Sequence, residues 1–77
     1  MKDLTKEFPL WTIASKHFTV IDVAKWHPDR RWSEVEPQML EWLRALDHPS
    51  WFAWERPRGK MIFGDHDVAV LFVLRWS

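Results

Sequence analysis

Seven of the 77 residues in this chain are tryptophan, and none is tyrosine. Each indole combines a large apolar area with one donor nitrogen, and tryptophan is enriched both in small cores and at the centres of protein interfaces. A domain of this length buries only part of its surface, so its core cannot hide all seven rings. We therefore expect some of them to line a groove or a contact surface. The seven are Trp11, Trp26, Trp32, Trp42, Trp51, Trp54 and Trp76.

The composition is that of a small globular domain. Apolar residues make up 47% and charged residues 29%, which excludes a disordered chain. Eleven basic and eleven acidic side chains cancel, so no overall charge favours nucleic acid or a membrane surface. The chain has no cysteine, which is typical of a reducing cytoplasm. The longest apolar run, residues 68–74, is too short to cross a bilayer. We expect one domain over residues 1–77, with residues 1–8 as a flexible tail.

The first half of the chain predicts a hairpin followed by a helix. Residues 10–14 and 17–26 have strand character, and β-branched residues in the second stretch disfavour a helix. Ser33 and Glu36 match a capping box, and Pro37 is tolerated only near a first turn, so the helix should begin between Ser33 and Glu36. Residues 47–49 should end it. Its predicted apolar stripe, at spacings of three and four, is Val35, Met39, Trp42, Leu43 and Leu46.

The second half predicts another hairpin and a second helix. Residues 51–55 and 60–63 have strand character, and residues 57–59 between them supply turn chemistry. Residues 66–76 fit a helix capped by Asp65. Residues 68–74 also have strand propensity, so a strand remains the alternative for this tail.

The end of the chain reads Met61-Ile-Phe-Gly-Asp-x-Asp-x-Ala-x-x-Phe-x-x-Arg-Trp76. This pattern resembles the closing strand and helix of small, mostly uncharacterised tailed-phage proteins. The resemblance implies a helical tail and a phage origin, and it carries no catalytic residues.

These elements follow the order β-β-α-β-β-α. They predict an α+β, ferredoxin-like fold, in which a four-stranded, mainly antiparallel sheet carries two helices on one face. Residues 10–14 would take the place of the last strand of that fold. The strands are apolar on both faces, so the face without helices should be covered too. A partner, a second copy, or the loop around Trp32 with the N-terminal tail could cover it.

No pattern of catalytic residues is present, and we predict that the chain is not an enzyme and holds no cofactor or metal. The four histidines do not repeat a metal-ligand spacing.

The sequence His27-Pro28-Asp29 resembles the signature tripeptide of J-domain co-chaperones. No helix of the length required by that family precedes it, so we interpret it as a turn.

We predict a non-enzymatic protein-binding module, namely a phage accessory protein that binds and inhibits or redirects a host protein in the host cytoplasm. Partner contact would come from three tryptophans at the centre and three arginines at the rim. One alternative is a domain that binds RNA or single-stranded nucleic acid through the same surface. The other is a homodimer that packs sheet to sheet. The predicted contact residues are Trp11, Trp51, Trp54, Arg31, Arg56 and Arg58.

Overall fold

A computed structural model describes residues 1–7 and 17–77 of the chain. Within these residues an α+β fold is formed by four strands in one mixed sheet and by three helices. The strands are β1 (Lys2–Asp3), β2 (Thr19–Asp22), β3 (Trp51–Glu55) and β4 (Lys60–Phe63). The helices are α1 (Val23–Trp26), α2 (Trp32–Ala45) and α3 (His66–Trp76).

The sheet has the strand order β1-β3-β4-β2. Strand β4 is antiparallel to both of its neighbours, and the predicted β3–β4 hairpin is confirmed. A 3₁₀ turn over Arg56–Arg58 joins these two strands, and Gly59 follows it with φ of 62°, a left-handed conformation that glycine adopts without strain.

The N-terminal edge of the sheet differs from the prediction of a mainly antiparallel ββαββα fold. Strand β1 pairs parallel to β3, and the Leu4 N–H donates to the Phe52 carbonyl at 2.8 Å. Residues 1–7, which we expected to be a flexible tail, form this strand and a 3₁₀ turn over Thr5–Glu7. The predicted strand over residues 10–14 lies outside the described residues.

Strand β2 ends at Asp22, so the prediction of a strand as far as residue 26 is wrong. The Asp22 carboxylate accepts a hydrogen bond from the Lys25 N–H at 3.2 Å and so caps helix α1. The turn of helix places Val23 in the core, where it is fully buried and its N–H donates to the Gly59 carbonyl at 3.0 Å. The capped turn and the burial of Val23 outweigh its preference for extended chain. The following His27-Pro28-Asp29 segment lies in a turn, as predicted.

Helix α2 begins at Trp32, before the predicted start, and no side chain caps it at Arg31. The predicted capping box at Ser33 and Glu36 is therefore wrong, because Ser33 lies inside the helix and Glu36 bonds to β3 and the turn after it. The helix ends at Ala45, ahead of residues 47–49 as expected. The predicted apolar stripe is confirmed: Met39 and Leu43 are fully buried, and Val35, Trp42 and Leu46 pack against the core.

Helix α3 confirms the helical interpretation of the tail, and the strand alternative is wrong. The Asp65 carboxylate accepts from the Asp67 N–H at 2.8 Å, which satisfies one of the free donors of the first turn. One side of the helix is buried through Val68, Ala69, Phe72 and Trp76.

The main core lies between the helices and one face of the sheet. Successive strand residues point to opposite faces, so Phe52, Trp54, Met61 and Phe63 share this face with the buried sides of α2 and α3. On the other face Ala53 and Ile62 are also buried, at 0% and 2% exposure, whereas Val20 beside them is 44% exposed. The middle of this second face is therefore already covered in a single molecule.

Candidate protein-binding surface

The predicted tryptophan anchors are only partly available for contact. Trp54 lies on the helix-covered face, is 4% exposed, and donates from Nε1 to the Glu36 carboxylate. Trp51 is half-buried, and its indole lies so close to Gly64 that any side chain at that position would overlap it. Trp11 lies outside the described residues. All six tryptophans of the described residues are buried or half-buried, so the indoles are chiefly part of the core.

Two of the three predicted rim arginines are engaged by glutamates. Arg56 donates two hydrogen bonds to Glu36, from Nε at 2.6 Å and from Nη2 at 2.8 Å. These bonds hold the pKa of the Glu36 carboxyl below its ordinary value and raise the pKa of Arg56. Arg31 Nη1, in the residue just before α2, lies 3.2 Å from Glu34 Oε1 in the first turn of that helix. Arg58 is exposed in the turn between β3 and β4. The structure therefore brings Trp54 and Arg56 together at Glu36, and no described hydrogen bond or ion pair joins Arg31 or Arg58 to that pair.

An open pocket of about 480 Å³, with both charged and apolar side chains in its lining, lies beside Trp54 and Arg56. Its charged groups are of both signs, and Arg44 donates from Nε to the Asp3 carboxylate at 2.9 Å. Partial burial would by itself raise the pKa of Asp3, but hydrogen bonds from Thr5 and Arg44 outweigh it and lower the pKa. Arg44 pairs with Asp3 inside the pocket and Arg56 pairs with Glu36 beside it, and one further cation and one further anion complete the lining, so the pocket and its rim together have no net charge that would select an ionic ligand. Its lining is Asp3, Thr5, Lys6, Glu7, Leu40, Arg44, Trp54 and Arg56.

The largest exposed apolar side chains of helix α3 are on the side that faces away from the core. Val70 is 44% exposed, Leu71 48% and Leu74 71%. At 3.6 residues per turn these three fall on one side of the helix, which we call the α3 outer face together with exposed Asp67 and Arg75. Aliphatic side chains grouped on a surface helix are typical of a contact site, whereas single ones are not.

An apolar groove of about 260 Å³ adjoins the α3 outer face. It runs between helix α3 and strand β2, which is the last strand in the sheet order. Val70 and Leu74 belong to both the groove and the outer face, so the two form one continuous surface. Thr19 Oγ1 and His66 Nδ1, 3.4 Å apart, form its only described polar contact between side chains. The groove lining is Thr19, Ile21, His66, Ala69, Val70, Val73 and Leu74.

The sequence contains a signal for this surface that is independent of the tryptophans. A helix over residues 66–76 is apolar nearly all round, because Val70, Leu71 and Leu74 lie opposite the stripe of Ala69, Phe72 and Trp76. One sheet cannot bury both sides of a helix in so small a domain. The second apolar side is therefore left facing outward.

Within residues 1–7 and 17–77, no group of three or more His, Cys, Asp or Glu side chains is arranged to hold a metal ion. No helix among these residues is both long and apolar enough to span a membrane. Comparisons with protein-family models, with curated proteins and with solved structures found no match to this chain.

Proposed function

We propose that this chain is a non-enzymatic protein-binding module whose contact surface is the α3 outer face and the adjoining groove. The observation that carries the proposal is the exposure of Val70, Leu71 and Leu74 side by side on one helix. Removing such side chains from water is the main favourable term in protein association. Interface centres are also depleted in charge, as the middle of this face is.

The finer description of the fold belongs to the same proposal. Strands β2 and β3 are both antiparallel to β4, which lies between them, and α2 lies in the connection from β2 to β3. This arrangement supports a ferredoxin-like split βαβ unit, to which β1 is added at the β3 edge.

We propose a phage accessory role for the chain, directed at a host protein in the host cytoplasm. Its support is the resemblance of residues 61–76 to the tailed-phage proteins. The residues that carry that resemblance are mostly structural in this chain, since Phe63, Ala69 and Phe72 are buried and Asp65 caps α3. The resemblance therefore bears on origin and fold, and the support for the contact surface is the exposure of Val70, Leu71 and Leu74.

The two alternatives have less support. A nucleic-acid partner needs cations that are free to meet phosphates, and Arg56 and Arg31 each contact a glutamate. A sheet-to-sheet homodimer needs an open second face, and Ala53 and Ile62 on that face are buried within one molecule.

The test is affinity capture from lysate of the host cell with three forms of the tagged protein. Leu74→Glu places a charge at the most exposed aliphatic position, and Ala45→Glu adds the same charge at an exposed position of α2. We expect Leu74→Glu to lower the amount of captured partner about tenfold or more, which corresponds to about 1.4 kcal/mol, with Ala45→Glu close to wild type. Equal capture by all three forms would contradict the proposal. Trp54→Ala is unsuitable as a test of the contact surface, because the loss of a buried indole would destabilise the fold itself.

A further inference from the structure

The α3 outer face carries opposite charges at its two ends. Asp67 precedes Leu71 by four residues and Arg75 follows it by four, and both are exposed. Neither forms an ion pair with another described residue, although the Arg75 guanidinium lies 4.5 Å from the centre of the Trp76 ring. Along the helix the order is therefore acid, three aliphatic side chains, and base, with the pattern centred on Leu71.

This arrangement is complementary to itself when two helices run in opposite directions. A two-fold axis through Leu71 places Asp67 of each molecule against Arg75 of the other, at sites about 12 Å apart along the helix. A parallel arrangement would instead oppose Asp67 to Asp67 and Arg75 to Arg75. The five residues of the face span an arc of about 140°, wide enough for one helix to pack against.

We propose that the occupant of the α3 outer face is a second copy of this chain, with the two α3 helices packed antiparallel about Leu71. The proposal rests on the proposed function in that it uses the same contact surface, which the second copy would occupy when no host protein is bound. The Asp67 and Arg75 positions alone would also suit the helix dipole, which favours acids at the start and bases at the end. The dipole does not account for the three exposed aliphatic side chains between them, and the antiparallel pair accounts for both.

The size of the face sets the expected strength of the dimer. Three partly exposed aliphatic side chains offer roughly 200 Å² of apolar surface per molecule, or about 400 Å² for the pair. Stable interfaces bury about 1,200 Å² or more in total. Polar residues at the edges of the helix pair would add to the buried apolar area, but they would not raise the total to that value. We therefore expect a weak dimer that dissociates on dilution.

The first experiment is sedimentation velocity of the purified chain over roughly 5 to 500 µM, a range that covers weak association. The wild type should move from monomer to dimer as its concentration rises. Leu74→Glu should stay monomeric at the highest concentration, and Ala45→Glu should behave as wild type. Circular dichroism of each variant verifies that it is folded, and the exposure of both positions favours that outcome.

The second experiment tests the antiparallel geometry by exchanging charges. Asp67→Lys alone would oppose two cations at both ends of the pair, and Arg75→Asp alone would oppose two anions, so each variant should be monomeric. An equimolar mixture of the two restores an opposite-charge contact at each end, so it should form a heterodimer. These substitutions leave the Asp65 cap of α3 in place.

A wild type that stays monomeric up to about 500 µM overturns the second-copy proposal. A dimer that persists in Asp67→Lys and in Arg75→Asp, or a mixture that does not associate, overturns the antiparallel arrangement. The proposed function is judged separately by capture of a partner. A monomeric wild type whose capture of a partner is lost in Leu74→Glu would support that function without the dimer. A wild-type dimer whose capture of a partner is equal in Leu74→Glu would support the dimer and contradict the α3 outer face as the surface that binds a host protein.

Discussion

Glu36 links helix α2 to the end of β3, and its removal tests the packing of the core side of the sheet. Its side chain is 15% exposed and accepts hydrogen bonds from Trp54 Nε1 and from Arg56. Trp54 is almost completely buried, so its indole N–H has little access to water. In Glu36→Ala this donor would lose the acceptor that it uses in the folded state.

The expected loss follows from that one donor. A buried donor without an acceptor costs about 1–3 kcal/mol, so we expect the free energy of unfolding to fall by about 2 kcal/mol in Glu36→Ala. The Arg56 side chain is largely exposed and returns to water, so we assign it no part of this loss. Glu36→Gln keeps an acceptor oxygen without the charge and should cost about 1 kcal/mol.

Urea denaturation followed by circular dichroism measures the difference. Glu41→Ala is the matched control, because Glu41 is exposed on the same helix. Its free energy of unfolding should lie within about 0.5 kcal/mol of wild type. If Glu36→Ala is no less stable than Glu41→Ala, the Trp54–Glu36 hydrogen bond contributes nothing to stability, which would contradict this prediction.

Three further predictions concern the same core and its caps. Because hydrogen bonds from Arg56 lower the pKa of Glu36 in the folded state from its ordinary 4.5, the stability it contributes is present above that pH and is lost as the pH falls below it. Urea titrations between about pH 5 and pH 3 should therefore show a shallower decline in Glu36→Gln than in wild type, and parallel declines would contradict this. Asp65→Ala removes the cap of α3 and should cost about 1 kcal/mol, with Asp65→Asn near wild type; equal stability of all three forms would refute the role of the cap. Gly64→Ala should cost about 1–3 kcal/mol through overlap with the Trp51 indole, and a cost that is unchanged in a Trp51→Phe background would place its cause elsewhere.

Local signals in the sequence predicted several elements well. Gly59 and the residues before it indicated the β3–β4 turn, Asp65 indicated the start of α3, and the spacing of Met39 and Leu43 indicated the buried side of α2. Each of these signals acts over a few neighbouring residues. A capping side chain or a turn glycine can therefore be identified without knowledge of the rest of the fold.

The errors arose where distant contacts decide the local structure. Glu36 belongs to a capping-box pattern, but Trp54 and Arg56, which are far away in sequence, are its partners. Val23 continues a β-branched run, yet its burial and the Asp22 cap favour a helical turn. The pairing of β1 with β3 likewise depends on a contact that no local pattern in Lys2–Asp3 indicates.

The proposed contact surface was harder to predict because exposure is a property of the whole fold. The number of tryptophans indicated that some large apolar side chains remain outside the core, but it did not indicate which side chains these are. Among the described residues the six indoles are buried or half-buried, whereas Val70, Leu71 and Leu74 are exposed. Smaller aliphatic side chains cost less to expose than an indole does, which is the physical reason for this distribution.

On our proposal the α3 outer face, rather than the tryptophan side chains, makes the contacts of this protein. Nuclear magnetic resonance of a dilution series tests it directly, because methyl signals of Val70, Leu71 and Leu74 and indole N–H signals can be followed in one sample. We predict that these methyl signals shift with concentration while the indole signals of Trp51 and Trp54 stay fixed. Shifts confined to the indoles, with unmoved α3 methyl groups, would contradict the claim.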